Sequence, residues 1–119
     1  MKEYCIDSNI LFSALISRKE KYLQIFSSAK FYTPDFALIE IDKYAKVILK
    51  KTKTDPSRLE QFTLLMFSLL TIVPKLVISA ESIQEAFDIC REVDEKDTMY
   101  VALAIQLNIA FITRDKALF

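Results

Sequence analysis

The run DEKDTMYVALAIQLNIAFITRD, residues 94–115, decides the fold. Its first part has helical spacing: Asp94 and Asp97 lie one turn apart, and Val101, Ala102, Ala104 and Ile105 supply an apolar stripe behind them. Its second part, Ile109 to Thr113, is an apolar run too short for a helix and reads as a buried parallel strand. Asn108 stands between the two, a residue that takes the left-handed turn ending a helix. A helix that feeds straight into a strand places Asp97 near a helix N-terminus and Asp115 just past the carboxyl end of a strand. In open α/β sheets that edge is where ligands bind.

Working outward, the rest of the chain alternates in the same way. Tyr4 to Ile6 reads as a first strand, and Asp7-Ser8-Asn9 separates it from a helical pattern at Ile10, Leu11, Ala14 and Leu15. Three capping-type residues in a row are more than one N-cap needs. After a polar break at Ser17 to Lys21, Tyr22, Ile25 and Phe26 suggest a short helix, and Phe31 to Thr33 a second strand. Thr33-Pro34-Asp35 reads as a helix start with proline at the first position, the helix continuing from Phe36 through Leu49 to Lys50 and Lys51. Glu40 sits in its early turns, where a glutamate either reaches solvent or serves a site. Asp55-Pro56 starts another helix, apolar nearly all round from Phe62 to Leu70, which points to burial on more than one side, by the chain's own core or by a partner subunit. A third strand falls at Ile72–Val73 or at Leu76–Ile78, and Ser79 caps a helix through Cys90. Strand and helix in alternation predict an α/β domain with a central parallel sheet covered on both faces.

What is missing narrows the chemistry. The 119 residues suit one domain, and 16 basic against 16 acidic side chains leave no net charge, so a polyanion would need a local basic patch. Without histidine there is no Ser-His-Asp or Cys-His nucleophile and no His-bearing metal site. Without glycine there is no P-loop and no GxGxxG turn. Cys5 and Cys90 are too few for a zinc site and read as two buried thiols in a reducing compartment. Carboxylates, hydroxyls, lysines and a hard metal remain. Glu3 and Asp7 interrupt any leader-like core, and the longest apolar stretch, Phe62 to Val73, is short of a membrane span. A cytoplasmic protein without membrane attachment is expected.

Four acids hold comparable places: Asp7 after the first strand, Glu40 in the helix after the second, Asp97 at the start of the last helix and Asp115 after the last strand. Carboxylates brought together repel unless a cation sits among them, and oxygen-only ligands select Mg²⁺ or Mn²⁺. Lys43, Lys46, Lys50, Lys51, Lys53 and Arg58 form the densest basic stretch. It suits either a solvated helix face or a phosphate backbone running past the acids.

Asp97, the small-residue run Ala102 to Ala104, and Thr113-Arg114-Asp115 resemble the closing segment of PIN-domain nucleases, and strand-Asp7-Ser8-Asn9-helix resembles their opening. The resemblance covers nearly the whole chain and implies a single PIN-like domain over residues 1–119, of three-layer α/β/α form. It implies a metal-dependent endoribonuclease that uses Asp7, Glu40, Asp97 and Asp115 with Thr113 and Asn9 in support. Asn108 stands where the family usually has glycine, and with Phe119 so soon after Thr113-Arg114-Asp115 the last edge strand is expected to be absent. RNA, a second copy of the chain and an antitoxin protein are the implied partners, since many such proteins are toxins of toxin–antitoxin pairs. The alternative is a PIN-like module that binds RNA or protein without cutting.

Overall fold

The computed structural model describes residues 2–52, 55–92 and 97–113. Four strands, β1 (Glu3–Ile6), β2 (Lys30–Pro34), β3 (Leu70–Val73) and β4 (Ala110–Ile112), form one all-parallel sheet in the order β3-β2-β1-β4. Around it, among the described residues, lie seven α-helices: α1 (Ser8–Ser17), α2 (Glu20–Ser28), α3 (Phe36–Lys43), α4 (Ala45–Thr52), α5 (Pro56–Ser68), α6 (Ala80–Cys90) and α7 (Thr98–Leu107). A single 3-10 turn covers Lys75–Val77.

The period of two along the strands divides the interior into two cores. Tyr4, Ile6 and Phe31 face one side, where Leu11, Ala14 and Leu15 of α1, Phe26 of α2, and Leu59 and Met66 of α5 close over them. Cys5 and Tyr32 face the other, against Ala86 of α6 and Ala102, Leu103 and Ala104 of α7. Small side chains on α7 let it lie close to the sheet, where it meets β1, β2 and β4. The result is the expected α/β/α layering. Both cysteines are buried in it and no disulfide joins them. Among the described residues, no helix is long and apolar enough to cross a membrane.

Local signals account for several boundaries. Asp55 caps α5 by accepting the Ser57 amide at 3.0 Å with Pro56 at the first position, and Ser79 caps α6 by accepting the Ser82 amide at 3.1 Å. Asn108 ends α7 in the left-handed region at φ 54°.

Several expectations are corrected. Pro34 does not open a helix; it ends β2, opposite Val73, and α3 starts at Phe36. The next ladder bond, to the Val73 carbonyl, comes from the Asp35 amide at 3.0 Å. The long helix expected from Phe36 to Lys51 is two helices broken at Tyr44, whose φ of −107° and ψ of 15° leave the helical region. No glycine or proline marks this break; it coincides with the Tyr44 ring lying edge-on to Phe12 of α1 at 5.8 Å. The all-round apolar helix stops at Ser68, Leu70 belongs to β3, and Leu64 and Leu65 are exposed while Met66 is buried. Of the two places for the third strand, the chain uses the earlier one, and Lys75–Val77 turns instead. Among the described residues the closing strand lies at the sheet edge with Ala110 exposed, so it is less buried than its apolar run suggests. Asp94, Lys53 and Asp115, and any question of a further edge strand after residue 113, lie outside the described residues.

Candidate active site

Asp7 is where the parallel sheet delivers its first acid. It follows β1 directly and is 1% exposed. The buried Thr33 hydroxyl donates to the Ile6 carbonyl at 3.0 Å, tying the end of β2 to the residue before Asp7. One Asp7 oxygen, Oδ1, accepts the Ile10 amide at 3.2 Å and so caps α1. The other, Oδ2, accepts the hydroxyl of Thr113, which follows the neighbouring strand β4. Asp7 is therefore both a cap and a group held for other work. Burial pushes its carboxyl above the usual range, the hydrogen bonds from Thr113, Ile10 and Asn9 pull it back, and the charge of Glu40 pushes it up again.

Glu40 projects from α3, half-buried. Its Oε1 accepts two hydroxyls: Ser8 Oγ at 3.1 Å and the phenol of Tyr100. Asp97 occupies the N-cap position of α7 and is buried, but its side chain makes no capping hydrogen bond to the helix. The helix begins at the next residue, Thr98, so Asp97 stands at its start, as expected.

These three acids line one cleft of about 530 Å³ together with Ser8, Asn9, Lys43 and Tyr100. Phe12, Phe36, Ile39 and Tyr44 make its apolar wall. Asn9 is exposed at this cleft, as a supporting residue would need to be. Among the described basic residues only Lys43 is part of the lining; Lys46, Lys50 and Lys51 are exposed along α4, and Arg58 is exposed on α5. A second groove of about 320 Å³, between α4 and α5, is almost wholly apolar and is lined by none of Asp7, Glu40 and Asp97.

The donors suit a hard divalent cation, being carboxylate and hydroxyl oxygens around a buried Asp7 whose proton affinity is raised by burial. Among the described residues, however, no three His, Cys, Asp or Glu side chains gather as a group able to hold a metal ion. Thiol chemistry is disfavoured. Burial, with the charge of Asp7 adding to it, pushes the Cys5 thiol up to about 12, and the thiol donates to the Tyr100 carbonyl at 3.4 Å.

Two residues of this cleft escaped the sequence reading. Tyr100 stands three residues after Asp97, a spacing that puts both on one helix face, yet an aromatic in an apolar helix looks like core. Ser8 was hidden inside a capping triplet. The family model described as PIN domain matches residues 5–119, a span that contains Asp7, Glu40, Asp97, Thr113 and Asp115. No curated protein matches the chain.

Proposed function

The chain belongs to the PIN-domain family, and from that premise we propose that it is a metal-dependent endoribonuclease. The observation that supports this reading best is the placement of Asp7, locked between the Ile10 amide and the Thr113 hydroxyl, in the same cleft as Glu40 and Asp97. Asp7, Glu40, Asp97 and Asp115 are the residues that would hold Mg²⁺ or Mn²⁺. When bound, such an ion lowers the pKa of water and offsets the charge that develops on a phosphodiester. Thr113 keeps Asp7 turned toward the cleft, and Asn9 offers an amide at its mouth. Lys43 meets a phosphate at the cleft, and Lys46, Lys50, Lys51, Lys53 and Arg58 guide the RNA backbone toward it. A second copy of the chain, and an antitoxin protein in the case of a toxin–antitoxin pair, are the partners this reading adds.

The test is cleavage of structured and unstructured RNA with Mn²⁺ or with EDTA. Cleavage should need Mn²⁺, and Asp7→Asn or Asp97→Asn should lower the rate by about a hundredfold or more. A second reading has its own support, because the described acids do not gather into a ligand group. It is a PIN-like module that binds RNA or protein without cutting. RNA bound but left whole by the wild type in Mn²⁺ would select it.

A further inference from the structure

We propose that the Tyr100 hydroxyl is the positioning residue of the cation site, fixing Glu40 as a ligand through its other oxygen, Oε2. The inference rests on the proposed metal-dependent reading. Its starting point is that α3 alone does not fix Glu40. The helix has eight residues, fully buries only Ala37 with Phe36 and Ile41 partly buried against the core, and ends at the break before α4. The Glu40 carboxylate is held from outside its own helix. Both hydroxyl contacts fall on the same oxygen, Oε1, one from Ser8 and one from Tyr100.

Each of these two donors is tied to another acid. Ser8 is the residue after Asp7, and Tyr100 lies one turn beyond Asp97 on α7. Oε1 is thus measured from both other acids of the cleft. Tyr100 is a rigid reference point: it is 1% exposed, its ring stacks on Phe111 at 6.3 Å and meets Phe36 edge-on at 6.1 Å, and its carbonyl accepts the Cys5 thiol. A carboxylate with one oxygen saturated by two hydroxyls presents the other alone, which makes it a one-oxygen ligand. That suits Mg²⁺ and Mn²⁺ better than Ca²⁺, which readily takes both oxygens of a carboxylate. Partners one step outside a metal's ligands typically change its affinity by about 10- to 100-fold.

The experiment is calorimetric titration with Mn²⁺ alone, and then with Ca²⁺ alone, of the wild type, Glu40→Gln, Tyr100→Phe and Ser8→Ala. Tyr100→Phe keeps the ring and its stacking, so the metal-free protein should melt within a few degrees of the wild type. Its Mn²⁺ affinity should fall about tenfold or more, and its Ca²⁺ affinity less, so that the preference for Mn²⁺ over Ca²⁺ narrows. Ser8→Ala should move both affinities the same way by a smaller factor, and it carries the test if Tyr100→Phe does not fold. Wild-type Mn²⁺ affinity in Tyr100→Phe, or in Ser8→Ala should that variant stand alone, with binding lost in Glu40→Gln overturns the positioning role and leaves the metal site standing. A wild type that takes up no Mn²⁺ overturns the metal-dependent reading and this inference with it.

Discussion

Asp7 shows how one residue serves fold and site at once, and its proton reports on both. Its folded pKa is raised, chiefly by burial, so the neutral form is the one the metal-free fold prefers. The stabilising contribution is therefore fully present below the unfolded-state pKa of about 3.9 and is lost as pH rises through the higher folded value. In EDTA, melting temperature should fall over that interval more steeply in the wild type than in Asp7→Asn. Asparagine caps a helix about as well as aspartate, so the variant should keep α1 and melt a few degrees higher than the wild type at neutral pH. With Mn²⁺ the order should reverse, because the ion needs the carboxylate and stabilises only the wild type by mass action. Thermal melts at several pH values, with EDTA and with Mn²⁺, check both signs; a variant that loses stability in EDTA at neutral pH would make Asp7 a structural cap alone. At this scale the sequence was most legible where a residue type has one backbone use. Asn108 and Pro56 were placed from their conformational preferences and stand where expected. Tyr100 was not legible, because a phenol on an apolar helix face announces core packing and says nothing about its hydroxyl.

Among the elements, periodicity carried further than punctuation. The alternation of strands and helices could be read because strands of three to five residues and helices of eight to thirteen differ in both period and length. The break at Tyr44 could not, since no local breaker marks it and what coincides with it is a contact with Phe12, some thirty residues earlier. That break matters for the basic stretch, because it separates Lys43, which lines the cleft, from Lys46, Lys50 and Lys51 on α4, which do not. If α4 guides RNA by charge alone, Lys50→Ala with Lys51→Ala should weaken binding equally for different sequences. It should also flatten the slope of log K against log salt by about 1.4 for single-stranded RNA, two contacts at roughly 0.7 each. Filter binding across a salt series measures this. An unchanged slope would move the RNA path off α4 and leave Lys43 as the basic contact of the cleft.

On the scale of the whole molecule, the distribution of apolar surface is uneven in a way that length and composition did not reveal. The 52% apolar content supplies two cores, one on each face of a four-stranded sheet, and still leaves large side chains outside them. Leu64 is 66% exposed and Leu65 51%, next to a Met66 with no exposure at all. Leu64 also edges the apolar groove between α4 and α5, where Leu49 and Ile41 add to the same face. With charges balanced at 16 against 16, no long-range repulsion keeps copies apart. Self-association through this face follows from the proposed reading, since a symmetric pair would remove the same patch from water on both copies. Sedimentation should find a dimer at micromolar concentration. Leu64→Ser with Leu65→Ser should shift it toward monomer, and because both side chains already meet solvent, the folded monomer itself should lose no more than about 1 kcal/mol. Tm should then become less dependent on protein concentration than in the wild type, as dimer formation no longer adds to the native state. A wild type that sediments as a monomer at high micromolar concentration would remove self-association and leave the exposed leucines to a different protein.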